Sequence, residues 1–219
     1  MTSRALAKGR AALLFQLGLA ILLVQVLSPD REVHALQFNF FFEIPYSEGG
    51  TAGEYFTGSP RYKLYDCRIC HVGAPREIRV RLWTEPADIF RSGYEPGQTY
   101  RVHLELAEEL RKPERKFFST NNFCIEVLDG SGQNAGTPDL GFPWNPLSQL
   151  FDPVVLSPDG TTVLSGIFNQ DLLFSWLWTA PEAGTGEVIF YGGFVDGNGD
   201  LKSFGDDVAI IRQKAIEQQ

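Results

Sequence analysis

From residue 78 onward the chain repeatedly alternates apolar and polar residues. Ile78-Arg79-Val80-Arg81-Leu82-Trp83 and Tyr100-Arg101-Val102-His103-Leu104-Glu105-Leu106 place apolar side chains at nearly every second position. Successive side chains of an extended chain point to opposite faces, so this period predicts strands with one face buried. Phe117 to Leu128 contains another strand, with Phe123, Ile125 and Val127 on one face and Cys124, Glu126 and Leu128 on the other. Residues 154–156 and 161–164 flank Ser157-Pro158-Asp159-Gly160, a hairpin signature. Residues 172–178, 187–195 and 206–212 read as further strands, and Leu36 to Ile44 as a first strand or a wrapping segment. Tyr94-Glu95-Pro96-Gly97-Gln98, Asp129-Gly130-Ser131-Gly132 and Pro181-Glu182-Ala183-Gly184 carry the Pro and Gly that turns need. Residues 45–66 read as an irregular loop, 107–116 as a helical turn or exposed loop, and 134–152 as a Pro- and aromatic-rich insertion around Trp144. About eight strands with little helix predict an all-β fold, an antiparallel immunoglobulin-like sandwich over 76–212 with a tail at 213–219.

The pattern changes at the N-terminus. Arg4, Lys8 and Arg10 precede an apolar run from Ala11 to Leu27, broken only by Gln16, Gly18 and Gln25, and a polar stretch then ends in Val33-His34-Ala35. That order predicts a signal segment over 1–35, cleaved after Ala35, or else an uncleaved anchor. The expected location is therefore the periplasm or the exterior. The chain has a net charge of −8, and 1–35 holds four basic residues against two acidic, so the remainder is more acidic still. Such a balance argues against nucleic acid or anionic lipid as a partner and is compatible with a basic redox protein. The 22 Gly and 13 Pro suit strands joined by tight turns.

Candidate chemistry concentrates at Cys67-Arg68-Ile69-Cys70-His71, in the segment 36–75 that precedes the sandwich. Two thiols and an imidazole at this spacing form the attachment signature of c-type haem. Each thiol adds to one vinyl group, and His71 reaches the iron as proximal ligand. One motif predicts one haem. The distal face is open in the sequence. Met1 and His34 leave with the signal, so His103 is the remaining histidine, read either as a distal ligand or as a solvent-facing strand residue. Tyr62, Tyr65, Trp83 and Phe90 are the aromatics nearby in sequence. The leading expectation is an exported monohaem electron carrier, not an enzyme, or a haem-bearing subunit of an extracytoplasmic assembly. The alternative is a non-redox extracellular binding or structural module with a Cys67–Cys70 disulfide, the bond that oxidising compartments favour. Zinc held by Cys67, Cys70, Cys124 and a histidine is a weaker competitor, lacking a second paired motif. Cys124 reads as a half-buried, unreactive thiol or as one that pairs between molecules or transiently. Asp196-Gly197-Asn198-Gly199-Asp200, with Asp207 at the twelfth place, has the spacing of a calcium loop, but Leu201 stands where such loops need Gly. A Gly-rich turn between strands is the competing reading.

Tyr94-Glu95-Pro96-Gly97-Gln98-Thr99-Tyr100, Ile125-Glu126-Val127-Leu128-Asp129 with Asn134-Ala135-Gly136, Trp178-Thr179-Ala180-Pro181, Gly184 through Tyr191, Asn198-Gly199-Asp200 and Gly205-Asp206-Asp207 follow one another in an order that resembles reeler-type domains. The resemblance covers roughly residues 45–212 and implies an extracellular immunoglobulin-like sandwich. A bacterial branch of that family carries a Cys-x-x-Cys-His just ahead of its first strands, as this chain does. The stretch 137–152 is longer than the family pattern, and no C-terminal sorting segment follows the last strand.

Overall fold

The computed structural model describes Ser47 and residues 51–72, 78–109, 120–141, 152–166, 169–200 and 202–219. The expected signal segment, the Leu36 to Ile44 segment and most of the stretch around Trp144 lie outside the described residues. Among the described residues nine strands follow in order: β1 (Ile78–Glu85), β2 (Thr99–Glu109), β3 (Asn121–Asp129), β4 (Thr137–Asp139), β5 (Val154–Leu156), β6 (Thr162–Ser165), β7 (Leu173–Thr179), β8 (Glu187–Asp196) and β9 (Asp207–Ile216). One helical turn, α1 (Ile89–Ser92), joins β1 to β2. The fold is all-β, as the alternation predicts.

The strands form two sheets, a four-stranded one in the order β1-β2-β7-β4 and a five-stranded one in the order β5-β6-β3-β8-β9. Among the described residues every pairing of neighbouring strands is antiparallel. The inner faces meet in one core, in which Val102, Leu104, Phe174, Trp176 and Trp178 of the first sheet oppose Phe123, Ile125, Val163, Phe190 and Phe194 of the second. Burying a large apolar side chain stabilises by roughly 1.5–3 kcal/mol, so this layer dominates the folding energy. Aromatic edges lock the layers together: Phe123 meets Phe174 at 4.8 Å between centroids, and Trp178 meets Phe190 at 5.1 Å. The buried Trp178 indole donates from Nε1 to the Ala135 carbonyl at 3.1 Å, so its one polar group is satisfied.

Two differences from the expected elements have clear causes. β4 lies inside the stretch read as an insertion, where Thr137–Asp139 pairs with the end of β7. Three residues carry too little pattern to be recognised alone. The last strand continues to Ile216, past the expected end at 212, because β8 begins at Glu187 and offers a partner that far, with Glu187 opposite Ile216. Arg212, Gln213 and Lys214 look like a polar tail, yet they form the exposed part of a strand at the sheet edge, and Ala215 returns to the core.

Candidate functional site

The outer face of the five-stranded sheet is not left to solvent. Register places Val155, Leu164, Cys124, Gly193 and Ile210 in one row across its five strands. Thr162, Glu126, Tyr191 and Arg212 form the next row. Over these rows lies the segment 51–72, which folds back on itself. Thr57 bridges Asp66, and the Gly58 amide donates to the Tyr65 carbonyl at 2.8 Å. Lys63 and Leu64 make the reversal with left-handed backbones, φ 56° and 64°. A one-turn 3-10 helix, Cys67–Ile69, then begins at Asp66, whose carboxylate accepts from the Arg68 amide at 2.9 Å and from Arg68 Nε at 2.8 Å. An aspartate in this capping position satisfies an amide that the turn itself cannot.

Three contacts hold the segment down. The first is Glu126, whose side chain is 0 % exposed and whose carboxylate forms an ion pair with Arg61 at 3.2 Å. It also accepts a hydrogen bond from Thr57 Oγ1. Arg61 in turn donates to Asn134 Oδ1 at 2.6 Å, tying the segment to the turn after β3. The second contact is Tyr62, whose ring meets Tyr55 edge-on at 6.3 Å. Burial, reinforced by the Glu126 charge, pushes the Tyr62 phenol up to about 12. The third is sulfur. Cys124 Sγ donates to the Tyr55 carbonyl at 3.0 Å. Cys67 packs onto the small apolar cluster of Tyr55, Cys124, Val155 and Leu164. Although Cys67 is partly exposed as a residue, its sulfur points down onto the sheet, where a Cβ added at Gly193 would collide with it. A hydrogen bond with the Cys124 thiol, then burial, holds the Cys67 thiol well above its ordinary pKa. Burial, with the neighbouring Cys67, also raises the Cys70 thiol.

This geometry corrects the haem reading of Cys67, Cys70 and His71. Attachment at such a motif needs both thiols and the imidazole turned toward one macrocycle. The Cys67 sulfur is instead turned into the sheet and fills the space that Gly193 leaves. His71 Nδ1 lies 2.7 Å from Asp206 Oδ2, with the His71 side chain 15 % exposed. The second oxygen of that buried Asp206 accepts the Asn198 amide at 2.9 Å. The segment ends by pairing: Val72 N donates to Ser203 O and Gly205 N to Val72 O. The motif is thus part of the clasp between the N-terminal segment and the β8–β9 turn.

His103 is corrected as a distal ligand for a topological reason. It projects from the outer face of β2, in the other sheet, and the sandwich core separates it from His71. Its Nδ1 lies 2.8 Å from Ser175 Oγ, and its ring stacks on Trp83 at 5.0 Å, leaving the side chain 12 % exposed. Of the aromatics near the motif in sequence, Trp83 belongs to this far face and Phe90 packs against Phe190 in the core at 5.2 Å. Among the described residues no group of three or more His, Cys, Asp or Glu side chains is arranged to hold a metal ion. That includes the zinc set. In the stretch with calcium-loop spacing, Asp196 pairs with Asp207 between β8 and β9. Asn198 and Asp200 there accept backbone amides from Asp200 and Lys202 at 2.9 and 2.8 Å, the bonds of a tight turn.

Arg61, Thr57, Glu126 and Gly193 were not singled out from the sequence. Two signals for them exist. A glutamate on the second face of an otherwise apolar strand asks for a partner. A Gly-Gly pair inside a strand marks a place where another part of the chain approaches closely.

No protein-family model matches the chain, and no curated protein does. Among solved structures the chain is similar to the reelin-N domain of F-spondin, at 20 % identity over 70 % of this chain and 96 % of that one, with a TM-score of 0.48. It is also similar to two crystal structures of the human F-spondin reeler domain. The first gives 20 % identity over 67 % of this chain and 91 % of that one, the second 21 % over 67 % and 95 %, both with a TM-score of 0.44.

Proposed function

We propose that this chain is an exported, non-redox binding or structural module, working as a component of an extracytoplasmic assembly. The observation that carries the reading is the position of the Cys67 sulfur, packed over Gly193 and against Cys124. The residues with redox potential in the sequence serve to fasten one segment of the module onto its own sheet. No helix among the described residues is long and apolar enough to cross a membrane.

The two outer faces differ in what they leave for a partner. Residues 51–72 cover the middle of the five-stranded sheet and leave Ile210 and Ile216 of β9 exposed. The four-stranded sheet presents Arg81, 4.4 Å over the Trp83 ring, together with Glu105 and the half-exposed Leu173. A mixed surface of aromatic, arginine and acidic groups suits another protein, and arginine and tryptophan are the residues that most often anchor such contacts.

The test is a pyridine haemochrome spectrum and an intact mass on the chain exported by a host with a haem-attachment system. The expected result is a colourless protein with the mass of the bare polypeptide. A c-type band, or added tetrapyrrole mass, overturns the reading.

A further inference from the structure

The three cysteines are not equivalent. Cys67 and Cys70 are neighbours in sequence, and such spacing invites the assumption that they pair. The fold directs Cys67 elsewhere. Its turn lies against β8 and β9, with the Cys67 sulfur above Gly193. Gly193 is the register partner of Cys124 on the adjacent strand. A glycine there is what allows a side chain from above to descend to the level of the sheet and reach sideways to the next strand. The Cys124 side chain points up on the same face, in the apolar cluster against which Cys67 packs, and its Sγ donates to the Tyr55 carbonyl of the overlying segment.

We propose that Cys67 and Cys124 form a disulfide in the exported protein, stapling residues 51–72 to β3, and that Cys70 remains a thiol. The bond forms by exchange. A low-molecular or protein disulfide is attacked by one of the two thiols as its thiolate, giving a mixed disulfide and releasing one thiol of the oxidant. The second thiol, also as its thiolate, then displaces the remaining half. The protein loses two protons and two electrons, and the oxidant takes up both as two thiols. Glutathione disulfide serves as that oxidant in vitro. The proposal is independent of what the module binds. It concerns what keeps the covered face covered.

The cross-link closes a long loop, from residue 67 to residue 124. Constraining the unfolded chain over such a span stabilises substantially, and loss of the bond is expected to lower Tm by roughly 10 °C in a domain of this size.

The sequence makes mapping direct. Trypsin cuts at Arg68, between Cys67 and Cys70, and a glutamate-specific protease cuts after Glu126. The full chain, exported or refolded with glutathione disulfide, is alkylated without reduction and digested with both enzymes. The expected species is peptide 64–68 joined to peptide 117–126, with peptide 69–76 carrying an alkylated Cys70. Peptide 64–68 joined to 69–76, or alkylated Cys124, overturns the proposal. A stability measurement adds a check that does not depend on whether a variant folds. Reduction of the wild type lowers Tm by roughly 10 °C, and Cys70→Ser retains both the high Tm and the drop on reduction. A Tm indifferent to reductant overturns the proposal as well.

Discussion

The two sheets of this sandwich share one core but have opposite outer surfaces. On β2, Arg101, His103 and Glu105 face out while Val102, Leu104 and Leu106 face in. On β3 both faces are buried: Phe123 and Ile125 point into the core, and Cys124 and Glu126 are just as inaccessible beneath residues 51–72. The open sheet is stabilised by one layer of packing and decorated with charge. The covered sheet depends on a second, smaller layer, fixed by an ion pair, a phenol and two thiols. A short irregular segment thus converts a solvent face into an interior. A charge buried there needs partners, and Glu126 has them in Arg61 and Thr57.

The sharpest way to break the contrast is to unpair Glu126. Arg61→Ala leaves a carboxylate with no exposure facing only Thr57 Oγ1. Breaking one side of a buried pair costs about 3–5 kcal/mol, expected here toward the lower end because Arg61 is itself 26 % exposed, and read as a shift in urea midpoint. An unchanged midpoint would show that the segment does not depend on this pair. Next is Gly193→Ala. The added methyl meets the Cys67 sulfur, and overpacking of this kind costs about 1–3 kcal/mol. In the reduced protein the same variant should make Cys67 react faster with an alkylating reagent, and equal rates would place the sulfur outside the sheet.

On the open face the expected losses are smaller. Trp83→Ala removes the stack on His103 and the Arg81 contact, about 1 kcal/mol. Arg81→Ala, which breaks an exposed pair with Glu105 at 2.8 Å, costs less than about 1 kcal/mol. If either exceeds the Arg61 variant in a denaturation curve, the ranking of the two faces is wrong.

The smallest effect is alkaline. The Tyr62 phenol titrates at about 12 in the folded chain against an ordinary 10.0. Its contribution is therefore complete below pH 10 and is lost as the pH rises from 10 toward 12, because the unfolded chain gives up that proton first. Tyr94, also raised to about 12 by burial, follows the same direction. Tyr62→Phe should flatten the stability profile between pH 10 and 12 without abolishing its slope, measured by unfolding at several pH values. A profile as steep as the wild type would mean that Tyr62 is not held under the segment.

Local pattern alone determined much of this molecule. Alternation in residues 78–83 and 100–106, the Ser157–Gly160 hairpin and the turn residues were enough for the strands, the antiparallel sandwich and the inward faces of β1 and β2. Period two is a property of the chain itself and needs no partner to be read. Assignments that depended on what lies across a gap were not legible. Cys-x-x-Cys-His is as good a haem signature as it is a clasp, and the choice turns on which way one sulfur points. That direction is set by Gly193, more than a hundred residues away in sequence and one strand over from Cys124. Likewise His103 and His71 are the two histidines left after residue 34, and only the sandwich puts a core between them. Sequence fixes side-chain chemistry and short-range period, whereas proximity between distant segments arises only when sheets pack, and at this site proximity decided the role of each residue.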